Sequence, residues 1–154
     1  MDDDNYKKVI TVLAKPQAVY EVLTEGISKW WGTSSHIMSK VDDETIVTFD
    51  SNPTSWKFRA VQLVPEKLVA WECVEANHIH EGLPDTISEE WVGTKLIWQI
   101  DPHLEGARVF FTHEGLVPSL GCYENCEAGW DHYIVGSLNK YLNRGAGIPG
   151  HVEK

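Results

Sequence analysis

The sequence predicts an α+β fold: a curved antiparallel sheet of about six or seven strands wrapped round a long C-terminal helix, with two short helices after the first strand. Three observations carry this. Apolar residues alternate with a period of two between residues 36 and 115, recur at three and four between residues 123 and 141, and form a short helical stripe just after the first strand.

The first element, Tyr6 to Leu13, is β-branched and apolar without helical spacing, so it reads as a strand that stops at Ala14, Lys15 and Pro16. Pro16 then opens a helix, where a missing N–H costs nothing, and Val19, Val22 and Leu23 give it one apolar stripe before Gly26. A second short helical piece carries Ile27, Trp30 and Trp31 up to Gly32. Residues 36–41 and 44–50 are expected as strands flanking an Asp42-Asp43 turn. The next two strands alternate Trp56, Phe58 and Ala60 against Lys57 and Arg59, then Val69, Trp71 and Cys73 against Ala70 and Glu72, each with one wet face. Residues 76–93, with His78, His80, Gly82 and Pro84, show no period and read as a long loop of the kind that carries function in small domains. Alternation resumes with Leu96, Trp98 and Ile100, turns at residues 101–106, and continues with Val109, Phe111 and His113.

In the last element Tyr123, Cys126, Trp130, Tyr133, Ile134, Ser137, Leu138 and Tyr141 oppose Glu124, Asn125, Glu127 and Asp131, an amphipathic pattern of about 20 residues. At about 1.5 Å per residue such a helix is about 30 Å long, enough to cross six or seven strands spaced about 4.8 Å apart. Gly129 and Gly136 are expected to let its backbone approach the strands, and Gly145 to cap it ahead of Pro149. A bent sheet gripping one helix, with the short helices as a lid, is expected to leave a ligand cavity between them.

A length of 154 residues fits a single domain over 1–154, with residues 1–5 expected as a disordered tail. The net charge of -10, without a basic patch, argues against nucleic acid as a partner. No apolar run reaches the length of about 18 residues that spans a bilayer, so no membrane insertion is expected. The acidic start and the odd set Cys73, Cys122 and Cys126 fit a cytoplasmic protein with reduced thiols.

The chain resembles the START-like, helix-grip superfamily, which includes the birch pollen allergen, lipid-transfer domains and aromatase/cyclases, and within it the branch named after the activator of the heat-shock-protein-90 ATPase. The resemblance rests on Val19-Tyr20, Trp30-Trp31, Val69 to Trp71, Thr112 to Leu116, and Gly129-Trp130 followed by Ser137-Leu138, and it covers nearly the whole chain. It implies binding of a small hydrophobic or amphipathic molecule between sheet and terminal helix, with no cofactor. The expected ligand-binding residues are Trp30, Trp31, Phe58, Trp71, Trp98, Phe111, His113, Tyr123, Cys126, Trp130 and Tyr133. The alternatives are a cyclase/dehydratase-type enzyme using the same cavity and a chaperone-regulating interaction protein. A homodimer through the outer sheet face is left open.

Individual residues have competing readings. His113 is either a polar group facing the ligand or a core histidine hydrogen-bonded to the long helix, for instance at Tyr123. Alternation turns Glu72 and Glu114 outward, so no orienting carboxylate completes a catalytic set, and no catalytic residue is assigned. Cys122 and Cys126, four apart on one helix face, join with His78 and His80 in a zinc-like ligand set, against which stands the plainer reading of two small buried residues. The expectation is no metal. Trp30 and Trp31 are read either as packing or as a gate, and Glu124, Glu127 and Asp131 as a solvated face.

Overall fold

A computed structural model describes residues 5–49, 52–79 and 82–145. The chain forms a seven-stranded antiparallel sheet in the order β1-β7-β6-β5-β4-β3-β2, curled into a half-barrel round the terminal helix. The strands are β1 (Tyr6–Val12), β2 (Thr33–Ser34), β3 (Glu44–Phe49), β4 (Asn52–Val64), β5 (Leu68–Asn77), β6 (Lys95–His103) and β7 (Gly106–Glu114). Two register shifts interrupt the β4–β5 pairing, one leaving Val74 of β5 extra opposite Lys57/Phe58 and one leaving Val61 of β4 extra between Ala60 and Gln62, and such bulges bend a strand and increase its twist. The wet face of this bend carries cross-strand ion pairs, Lys57 with Glu44 and Glu75 and Arg59 with Glu72, while Trp56, Phe58 and Ala60 point inward and are buried.

Helix α1 (Pro16–Thr24) starts on Pro16 and buries Val19, Val22 and Leu23, and a 3-10 turn at Ile27–Lys29 follows it. The predicted strand at residues 36–41 does not form. Thr33 and Ser34 pair with β3 instead, because the Ser34 and Thr45 hydroxyls bond across the pair at 2.6 Å and Asp43 Oδ2 takes the N–H groups of Ser39 and Lys40 into a turn. The β6–β7 turn is tighter than expected: residues 101–103 continue β6 as far as His103↔Gly106, and Leu104 takes a left-handed φ of 53°.

The terminal helix runs over residues 123–144 as α2 (Tyr123–Trp130), a π-helical segment (Asp131–Leu138) and α3 (Asn139–Arg144), closed by Gly145 at φ 85°. Its buried apolar residues Cys126, Trp130, Ile134, Leu138 and Leu142 are spaced strictly four apart. At 3.6 residues per turn that spacing would carry the stripe about 160° round a straight α-helix over its four steps. The i→i+5 bonding of the π segment underwinds the helix and keeps the stripe on the sheet. Side-chain bonds fix the helix in place: Ser137 Oγ donates to the Trp30 carbonyl at 2.6 Å, Tyr6 O–H donates to Asp131 at 2.6 Å, and Asn143 Oδ1 accepts from the Leu13 N–H at 2.8 Å. Gly129 and Gly136 do not serve close packing, since a Cβ at either position would meet nothing within 4 Å; they lie on the outer side of the helix.

Most of the expected tail, together with His80 and Pro149, lies outside the described residues. Asn5 is described, and its side-chain oxygen accepts from the Gly115 N–H at 3.0 Å. Among the described residues, no helix is long and apolar enough to cross a membrane.

Candidate functional site

The inward residues of the sheet, the lid and the helix meet in one aromatic body. All seven tryptophans are buried, none more than 7% exposed. Trp31 from the lid stacks on Trp30 and Trp56 and lies 4.9 Å, ring to ring, from Trp130 of the terminal helix. From the sheet, Trp98 and Phe111 oppose each other across β6 and β7 with ring centres 4.2 Å apart, and Phe111 reaches Trp130 at 4.9 Å. Trp71 and Phe58 continue the cluster at 5.5 Å from one another. Along this line the gap expected between helix and sheet is filled by rings in direct contact. A separate open groove of about 480 Å³ lies between α1 and the end of the terminal helix, lined in part by Glu21, Val22, Glu25, Lys29 and Tyr141. None of the sequence-predicted ligand residues lines it.

Within this apolar body the polar atoms are unevenly matched. Trp130 Nε1 can only donate, and it donates to His113 Nδ1 at 3.0 Å. His113 therefore carries its proton on Nε2 and donates it to Thr94 Oγ1 at 2.9 Å, and Thr94 in turn donates to the Trp91 carbonyl at 2.6 Å. Both ring nitrogens are committed to protein partners, and burial holds the imidazole down to about 3, fully neutral near pH 7. The expected bond from His113 to the long helix is present, but to Trp130 rather than Tyr123. By contrast, the indole N–H groups of Trp56, Trp71 and Trp98 are buried and find no acceptor among the described residues. Tyr123 and Tyr133 sit half-buried at the edge of the cluster, and burial raises the Tyr133 phenol.

A second group of side chains converges at one end of the aromatic body. The ligand atoms of His78, Cys122 and Cys126 all lie within 4.8 Å of one another, and all three residues are buried. His78 follows the end of β5, where its N–H donates to the Ser88 carbonyl and its neighbour Ile79 is gripped through N–H and C=O by the Thr54 hydroxyl. The cysteines sit at the start of the terminal helix with sulfurs 2.7 Å apart, and the Glu90 carboxylate accepts from the N–H groups of Gly121 and Cys122. The Cys126 thiol donates to the Cys122 sulfur, which lowers the Cys122 thiol and raises that of Cys126, and the His78 ring also favours the Cys122 thiolate. Cys73 is remote in kind: buried on β5, its thiol is pushed up to about 12 by desolvation.

No family model matches the sequence, and no curated protein matches it. Solved structures do. The solution structure of the Aha1 dimer from Colwellia psychrerythraea is 25% identical, covers 93% of this chain and 98% of that one, and superposes with a TM-score of 0.69. The chain has the START-like, Aha1-like fold. DynU16, of the dynemicin biosynthetic locus, shares this START-like fold at 18% identity over 94% of this chain, with a TM-score of 0.71, and the chain spans 49% of its length. So does a protein from Chromobacterium violaceum, at 15% identity, 90% and 97% coverage and a TM-score of 0.69.

Sequence reasoning missed Trp91 and Thr94 and set His78 aside. Trp91 lies in the aperiodic loop yet stacks on Trp56 at 4.1 Å and on Trp130 at 5.8 Å. The one available signal was composition, since a tryptophan in an aperiodic loop needs an apolar seat. For His78 the signal was the Cys122/Cys126 spacing on a helix face, which asks for further ligands from elsewhere in the fold.

Proposed function

We propose that the protein binds a small amphipathic molecule, apolar over most of its surface and carrying hydrogen-bond acceptors, between the curved sheet and the terminal helix. The observation that carries this reading is the set of buried indole N–H groups on Trp56, Trp71 and Trp98, which have no acceptor among the described residues. A buried donor left unmade costs about 1–3 kcal/mol, a penalty that phenylalanine or leucine at the same positions would avoid. A guest with an apolar body and a carbonyl, hydroxyl or carboxylate oxygen recovers it. Trp31 is the ring whose rotation admits the guest, because it is carried by the short lid segment and separates Trp56 from Trp130. Tyr133 offers a polar handle at the edge.

A cyclase-type reaction through His113 draws no support, since both of its nitrogens are held and its imidazole stays neutral. The chaperone-regulating alternative has the fold likeness in its favour and no residue-level observation. The likeness to a dimeric Aha1 supports a homodimer here, which sedimentation at micromolar concentration tests. The three cysteines, all thiols, support a cytosolic setting.

Native mass spectrometry of freshly purified protein and titration with anilinonaphthalene sulfonate, read by tryptophan quenching, test the binding reading. Saturable one-to-one quenching or a co-purified guest is expected. Trp71→Phe and Trp98→Phe keep an aromatic ring in the cluster but delete the donor with the five-membered ring that carries it, and each is expected to weaken an acceptor-bearing guest by about fivefold while leaving the fold intact. The absence of both a bound molecule and saturable quenching would end the proposal.

A further inference from the structure

We propose that His78, Cys122 and Cys126 form a binding site for a borderline-to-soft d10 cation of the zinc class. Three ligand atoms within 4.8 Å of one another, all on buried residues, are the donor set such an ion takes, two sulfurs and one imidazole. A tetrahedral ion about 2.3 Å from each sulfur holds the sulfurs about 3.7 Å apart. The Cys122 and Cys126 sulfurs stand at 2.7 Å, so entry of the ion asks the two side chains to open by about 1 Å, a small rotation for residues one helical turn apart.

The site is also held in place before any ion arrives. His78 is fixed by its backbone bond to Ser88 and by the Thr54 clamp on Ile79, and the helix start is fixed by the two bonds from Glu90, at 3.0 and 3.2 Å. Glu90 thus ties the loop that follows His78 to the helix that carries both thiols, an outer contact of the kind that orients metal ligands. The cation also resolves a charge conflict. Two thiolates side by side repel, but with a divalent cation between them both coordinate as thiolates, and the protons they still carried pass to solvent as the sulfur–metal bonds form. The described residues supply three ligands, and a tetrahedral ion takes its fourth from outside this set.

The test is titration of the full-length chain, reduced with a phosphine, with cobalt(II) alone. Thiolate-to-cobalt charge-transfer bands with intense tetrahedral visible bands are expected at one equivalent, displaced by zinc(II). They should be lost in a Cys122→Ser/Cys126→Ser variant, weakened and shifted in His78→Ala, and unchanged in Cys73→Ser. Absence of bands at one equivalent in the wild-type chain, or bands that persist in the double variant, overturns the proposal. Should the double variant lose its near-ultraviolet tryptophan signal, wild-type thiol reactivity decides instead. Zinc that protects two of the three thiols supports the site, and zinc that protects none overturns it.

Discussion

Replacing His113 with glutamine separates the titration of this buried ring from its packing. In the folded chain burial lowers the imidazole from 6.5 to about 3. The unfolded chain therefore binds the extra proton first, and the neutral ring's contribution to stability, present above about pH 6.5, is lost as the pH falls towards 3. Between pH 7 and 4.5 the loss worked from these two values is about 2–3 kcal/mol, and it levels off at about 5 kcal/mol below pH 3. Glutamine has an amide oxygen to accept from Trp130 and an N–H to donate to Thr94, and it does not titrate. Urea unfolding followed by tryptophan fluorescence at both pH values gives the comparison. The wild type should lose about 2–3 kcal/mol more than His113→Gln, with every other carboxylate and histidine common to both. Equal losses, within about 0.5 kcal/mol, would refute the claim that a neutral His113 sits in the described chain of bonds.

Gly106→Ala places a Cβ 2.0 Å from the Val12 carbonyl oxygen and 2.8 Å from Leu13 Cα, both backbone, so a loss of more than about 3 kcal/mol or failure to accumulate folded protein is expected in expression and melting experiments. Gly129→Ala meets nothing within 4 Å on the outer side of α2 and should stabilise by about 0.5–1 kcal/mol, read as a melting temperature higher by about 2–3 °C. Ser137→Ala leaves the Trp30 carbonyl without its 2.6 Å donor in a buried setting and should cost about 1–3 kcal/mol in chemical unfolding.

The strands were legible because one face of each is buried and the other wet, and that asymmetry writes a period of two into the chain at Trp56, Phe58 and Ala60 or at Trp98 and Phe111. The pairing of Thr33 and Ser34 was not legible, because two residues carry no period and their place is set by a hydroxyl contact with Thr45, twelve and eleven positions away. The π segment was written in the sequence as the four-residue repeat from Cys126 to Leu142, but amphipathicity alone does not distinguish that repeat from an ordinary helical stripe. The pairing of His113 with the helix was readable in kind and not in partner: burial of a histidine demands two hydrogen bonds, and only the register of helix on sheet decides that Trp130, not Tyr123, supplies one.

The loop from residue 78 to 94 is where local pattern says least and tertiary packing most. It holds no period, yet it delivers Trp91 between Trp56 and Trp130 and brings the Trp91 carbonyl to Thr94, which completes the His113 chain. It also delivers Glu90 to the start of the terminal helix, and His78 begins it beside the two thiols. Trp91 lies against both groups, since its ring is 4.5 Å from His113 and its indole N–H favours the Cys126 thiolate. A loop that only connected β5 to β6 would need neither a buried tryptophan nor a carboxylate capping a distant helix. These contacts instead make it a wedge that closes one end of the aromatic body, so an ion held by His78, Cys122 and Cys126 would fix the wedge, and with it one wall of the space proposed for a guest.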